Sequence, residues 1–175
     1  MSYTIMIDPG HGGSNPGATF QGRLEKDDAL ALSLAIGSIL EASGINVLYT
    51  RTADLYETPF QKAQDGNLAG ADLFLSIHRN SSLYPEMYAG VESLVYNDIG
   101  VAGLIARNIN SELEKLGFRN IGVSERPNLI VLNSSNMPAV LVEVGFINTE
   151  SDNQLFDSKF DAIAQAVADG VLESI

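Results

Sequence analysis

Cysteine is absent from the 175 residues. That excludes a disulfide framework, a thiol nucleophile and every zinc site built on thiolates, and it leaves the redox compartment open. Repeats, low-complexity tracts and Pro/Ser-rich linkers are missing too, so nothing marks an internal boundary. No apolar run is long enough to cross a bilayer. The opening Met1-Ser2-Tyr3-Thr4-Ile5 has neither a basic nor a long apolar stretch, so no signal peptide is expected there. Positive charge is scarce: 10 Lys and Arg stand against 22 Asp and Glu, a net charge of −12. Such a balance argues against nucleic acid and anionic membrane surfaces as partners. A hydrophobic content of 45% suits one globular domain over residues 1–175 with a single substantial core.

What is present alternates between two periodicities. Residues 4–7 are apolar and β-prone, like a strand buried on both faces. The 15 residues from Asp8 to Gly22 make a long loop for a strand-to-helix connection, and such loops are usually functional. Residues 25–43 read as a helix, with Asp27 and Asp28 in its first turn, Leu30, Leu34 and Ile36 following, and Gly44 placed to end it. Strands are expected over 45–50, 73–77 and 91–96, with a short helix over 59–69. Helical spacing returns at Val101, Ile105, Ile109, Leu113 and Leu116. Residues 129–132 and 140–144 read as two more strands, and Phe160, Ile163, Val167 and Val171 mark a last amphipathic helix. The pattern predicts an α/β fold: a single domain with a mostly parallel or mixed sheet of about six strands, flanked by helices on both faces.

The chain has only two histidines, and both fall where a predicted strand ends: His11 after Ile5-Met6-Ile7-Asp8-Pro9-Gly10, His78 after Leu75-Ser76-Ile77. Strand ends in α/β sheets converge on one edge, where sites are built. Imidazoles and carboxylates gathered there suggest a metal with an acid/base partner, and hence hydrolysis. Each residue also has a plainer reading. The glycines around His11 invite a phosphate loop, but Gly10, Gly12 and Gly17 do not make G-x-G-x-x-G and no Walker-type sequence occurs. A strand-end histidine such as His78 is commonly a hydrogen-bonded structural residue. Glu25, like Asp27 and Asp28, can be explained by the helix dipole, or it can supply an oxygen ligand. Glu143 interrupts Val140-Leu141-Val142 and Val144, where an unpaired carboxylate is costly. It is either half of a salt bridge or a general base of tuned pKa. A serine hydrolase is disfavoured because no G-x-S-x-G elbow occurs.

Taken together, these segments resemble the zinc-dependent N-acetylmuramoyl-L-alanine amidases of the amidase 3 type, a family of autolysins, spore-lytic enzymes and phage endolysins. The resemblance runs over nearly the whole chain. It rests on Ile7-Asp8-Pro9-Gly10-His11-Gly12-Gly13, Leu24-Glu25-Lys26-Asp27, Thr50-Arg51, Leu75-Ser76-Ile77-His78-Arg79-Asn80 and Pro138-Ala139-Val140-Leu141-Val142-Glu143-Val144-Gly145-Phe146. It implies one zinc ion per chain held by His11, Glu25 and His78, with Glu143 as catalytic acid/base. It further implies hydrolysis of the amide between N-acetylmuramic acid and L-alanine in peptidoglycan, outside the cytoplasm at the bacterial cell wall, by a monomer. A wall-binding domain elsewhere in the native protein is compatible with it, since a net charge of −12 disfavours simple adhesion to an anionic wall. The rival readings are a catalytically silent peptidoglycan-binding module and a zinc peptidase acting within the stem peptide. Arg79 and Lys62 depart from the family's usual residues, which bears on the substrate's peptide tail. Some family members are held inactive by an extra helix over the zinc. Residues 97–100 and 81–89 are too short or too proline-interrupted to form one, so an open groove and activity without a partner are expected.

Overall fold

A computed structural model describes residues 3–175; Met1 and Ser2, where the N-terminal reading begins, lie outside the described residues. The order is β1 (Thr4–Pro9), β2 (Thr19–Phe20), β3 (Arg23–Leu24), α1 (Glu25–Ala42), β4 (Asn46–Tyr49), α2 (Pro59–Ala69) and β5 (Leu73–Asn80). It continues with β6 (Val91–Val95), α3 (Gly100–Lys115), β7 (Asn120–Glu125), α4 (Ile130–Asn133), β8 (Ala139–Phe146), α5 (Glu150–Ser158) and α6 (Phe160–Leu172). Six strands form one sheet in the order β4-β1-β5-β8-β6-β7, while β2 and β3 make a separate ribbon. β4, β1, β5 and β8 run parallel. β6 is antiparallel to β8, and β7 is parallel to β6.

Strand alternation divides the side chains into two unequal layers. Ile5, Ile7, Leu75, Ile77, Val140 and Val142 join Leu32, Ile36, Ile105, Ile109, Ile163 and Val167 in the main core, beneath α1, α3 and α6. Met6, Phe74, Leu94, Ala139 and Leu141 face the other way, against Val131 and Leu132 of α4. On that side α2 packs on α4 and β1, with Gly66 against the Phe74 ring. Helices cover both faces, but one cover has 18, 16 and 13 residues per helix and the other only 11 and 4. Asp8, Ser76, His78 and Glu143 alternate onto the thinly covered face.

The structure departs from the sequence reading at four places. Residues 129–132 are not a strand: Asn133 N–H donates to Leu129 O and Ser134 N–H to Ile130 O, which makes the one-turn helix α4. Its neighbours Val131 and Leu132 are both buried, whereas a half-buried strand would alternate. The sixth strand is β7 instead, an edge strand of mixed exposure whose Asn120, Gly122 and Glu125 hide its β character. α5 is polar enough to pass for a loop. His78 lies inside β5, two residues before its end, where a register shift follows.

Candidate active site

β1 ends at Pro9, and the chain turns so that His11 adopts φ of 59°, a conformation uncommon outside glycine. The surroundings hold it there. Gly12 and Asn15 exchange backbone hydrogen bonds of 2.9 and 3.0 Å. Asn15 Oδ1 accepts from Gly17 N–H at 3.0 Å and lies 3.1 Å from His11 Nδ1. From beneath, Arg51 donates to Pro9 O (3.1 Å) and Gly10 O (2.9 Å). Lys62 Nζ donates to Asp8 Oδ1 (2.8 Å), Pro9 O (2.7 Å) and His11 O (3.2 Å). Asp8 is completed by Thr50 Oγ1 at 2.8 Å and Ser76 Oγ at 2.7 Å. A strained residue persists only where neighbours over-determine it, and this buried lattice does so.

β5 carries His78 with its ring flat against Gly10, where an added Cβ would stand 2.5 Å from Cε1. Glu25, the first residue of α1, is 4% exposed and reaches both rings. Its Oε1 lies 2.9 Å from His78 Nδ1 and accepts from Arg79 N–H at 3.1 Å. Its Oε2 lies 3.0 Å from His11 Nε2 and accepts from Ala18 N–H at 2.8 Å. The imidazole centroids are 4.9 Å apart at 78°. Burial alone would raise the Glu25 pKa, but the hydrogen bonds and charges of His11 and His78 outweigh it and hold the carboxyl well below the usual range. Asn15 Oδ1 gives His11 a partner at Nδ1, on the side away from Glu25, and so orients Nε2 toward the carboxylate, where it would be placed to ligate a cation. Two imidazole nitrogens and a carboxylate within 4.8 Å of one another are a donor set that a divalent cation fits.

Glu143 on β8 stands between His78 of β5 and Glu92 of β6 in the sheet register. The side chain is half-buried, and Oε2 is sealed from solvent with no hydrogen-bond partner among the described residues. The salt bridge that would explain it away is not formed among the described residues. Burial, reinforced by the charges of Glu25 and Glu92 and opposed by His78 and Arg79, raises its pKa to about 7. A cleft runs past these groups. One lobe of about 330 Å3 extends to Glu57, Pro59 and Lys62. The other, of about 450 Å3, takes in Glu143, Asn80 and Arg126, with His11, His78, Leu129 and Leu141 common to both.

All four residues singled out from the sequence therefore border one cleft, and His11, Glu25 and His78 meet at one point. Sequence reasoning passed over Asn15, whose only local signal is its place four residues after His11. It also passed over Asp8 as a buried anchor and over Arg126. Arg79 has no part in the cleft through its side chain: the guanidinium donates to Asp28 at 2.6 Å and Asn153 at 2.8 Å and stacks 4.2 Å from the Phe156 centroid. Alternation along β5 sends it to the face opposite His78.

Known proteins share this architecture. The chain is 42% identical over 173 residues to the sporulation-specific N-acetylmuramoyl-L-alanine amidase of Bacillus subtilis strain 168, covering 95% of this chain and 66% of that protein. It is 32% identical over 180 residues to the endolysin of Bacillus phage SPP1, covering 99% and 66%. The chain thus spans about two thirds of the length of these curated relatives. The crystal structure of an N-acetylmuramoyl-L-alanine amidase from Clostridium difficile 630 superposes with a TM-score of 0.91 at 33% identity, over 98% of this chain and 96% of that one. The profile of the N-acetylmuramoyl-L-alanine amidase family of the amidase 3 type matches residues 5–173, and with the same fold and relatives above 30% identity this chain belongs to that family.

Proposed function

We propose that residues 1–175 form one catalytic domain that hydrolyses the amide between N-acetylmuramic acid and L-alanine in peptidoglycan, with zinc held by His11, Glu25 and His78. The observation that carries this reading is the convergence of two imidazoles and a carboxylate beside Glu143, a carboxyl whose buried oxygen has no partner among the described residues. Zinc in a three-ligand site supplies Lewis acidity and lowers the pKa of water to about 7. Glu143 accepts the proton of the attacking water as oxygen adds to the lactyl carbonyl carbon. It then returns that proton to the alanine nitrogen as the C–N bond breaks, so water and amide become a carboxylic acid and an amine, which settle at neutral pH as a carboxylate and an ammonium. In the metal-free chain burial raises this carboxyl toward neutrality, the direction that suits a group which must both take and give a proton.

The substrate is a polymer of the bacterial wall, so the domain acts there, outside the cytoplasm. Among the described residues no helix is long and apolar enough to cross a membrane. The cleft is open on the thin face of the sheet, and activity without a partner protein is the expected behaviour. The test uses the purified chain alone. It should carry about one zinc per chain and clear purified peptidoglycan, stop on chelation and recover when zinc is restored. Zinc-loaded protein that stays inert until another protein is added would contradict the reading, as would clearing that chelators leave untouched.

A further inference from the structure

Among the described residues Lys62, Arg79 and Arg126 lie at or next to the cleft, and they differ in how much hydrogen-bonding capacity is left to them. Lys62 spends its three donors on Asp8, Pro9 O and His11 O. Arg79 is 1% exposed at the side chain and committed to Asp28 and Asn153. The side chain of Arg126 is 47% exposed. Among the described residues it makes one hydrogen bond, from Nη1 to Glu125 O at 3.0 Å, and one loose ion pair, with Nη2 3.9 Å from Glu92 Oε1. Its backbone is fixed all the same: Arg126 N–H donates to Val95 O at 2.8 Å, and its carbonyl accepts from Leu129 N–H at 3.1 Å. A guanidinium has five N–H donors in a rigid fork that matches a carboxylate. Glu92 is the cross-strand neighbour of Glu143, so this fork stands beside the strand next to the catalytic carboxyl, in the same lobe of the cleft.

We propose that Arg126 binds a carboxylate on the peptide side of the scissile amide and so selects muropeptides with a free carboxylate close to the cleavage point. This rests on the amidase reading above. In a stem peptide whose second residue is glutamate joined through its side-chain carboxyl, the α-carboxylate is free and lies only one residue beyond the scissile nitrogen. The opposite lobe is lined by Pro59, Ile130 and Glu57, and its lysine, Lys62, is already committed to Asp8 and two backbone carbonyls. The geometry therefore also orients the substrate, with its acidic peptide over the lobe that holds Arg126.

The test compares two soluble muramoyl peptides that differ only in that group, D-isoglutamate against its carboxamide D-isoglutamine, using zinc-loaded enzyme. Wild type should favour the free carboxylate roughly 10-fold in kcat/KM, the lower range for a charge-assisted hydrogen bond at an exposed site. In Arg126→Gln the preference should shrink to within about twofold through KM, at wild-type zinc content, and Arg126→Lys should keep part of it. A wild type without the preference, or an Arg126→Gln that retains it, overturns the assignment. Those outcomes leave the amidase reading standing. Failure of wild type to cleave either peptide or peptidoglycan would bring down both.

Discussion

A carboxyl closed in between His78 and Glu92, with one oxygen lacking a partner among the described residues, costs more to ionise in the folded chain than in the unfolded one. The sign follows directly. The folded pKa of Glu143, about 7, lies above its ordinary 4.5. The penalty is absent below pH 4.5, grows as pH rises between the two values and is full above about 7. At ~1.4 kcal/mol per unit it amounts to on the order of 3–4 kcal/mol. Metal-free Glu143→Gln should therefore unfold later than metal-free wild type at pH 8, and the difference should vanish by pH 4. Thermal melts at the two pH values decide it, and a wild type more stable at pH 8 would contradict the account. The same substitution should lower turnover by ~100-fold or more while zinc stays bound. His11→Ala combined with His78→Ala should remove the zinc itself, which metal analysis reads directly. His11, His78 and Glu143 were legible because each breaks an apolar or glycine-rich pattern. Glu25 stood out only through the family resemblance, since an acid in a first helical turn already has an explanation in the dipole. Asn15 and Arg126 were illegible because their partners are supplied by the folded chain.

The loop between β1 and α1 acts as the support of the site, and its glycines differ in what they do. Gly17 has φ of 69° and Gly22 has φ of 83°, so alanine at either position meets a comparable left-handed cost of ~1 kcal/mol. Of the two, only Gly17 would bring the new Cβ into the site, 2.5 Å from both Glu25 Oε2 and His11 Cδ2, whereas at Gly22 none of the described residues lies within 4 Å. Gly17→Ala should therefore lose zinc affinity by far more than Gly22→Ala at similar melting temperatures, as measured by competition with a chelator. Equal zinc affinity in the two variants would remove the loop from this role. Lys62→Met leaves Asp8 with an uncompensated buried charge and should cost about 3–5 kcal/mol of stability by denaturant titration. A loss near zero would mean that the pair is not what holds the loop. Elements of strong periodicity, such as α3 and α6, were readable from their apolar spacing. The misreading of α4 has a different origin, because four consecutive apolar or neutral residues carry no period that separates a helical turn from a strand. β7 escaped because an edge strand is not required to be apolar.

Across the whole molecule, the decisive feature is the unequal cover of the sheet. Three long helices seal one face, and the other is left to α2 and the single turn of α4, so that strand positions pointing that way can meet a substrate. Residues 96–99 connect β6 to α3, and no helix lies between β5 and β6 among the described residues. α/β class, sheet size and a mostly parallel or mixed direction were all legible, because apolar strands alternate with amphipathic helices along the chain. The asymmetry was not, since it depends on which faces the helices take after each crossover. Under the proposed function, the acidic balance of −12 would leave specific contacts in the cleft, and not bulk attraction, to bring an anionic polymer to the site. The most direct measurement is mass spectrometry and end-group analysis of peptidoglycan digested by the zinc-loaded chain. New L-alanine amino termini should appear in step with clearing, with no new reducing sugars. Reducing ends rising with clearing would make the enzyme a glycosidase, new amino termini within the stem peptide would make it a peptidase, and either result contradicts the account.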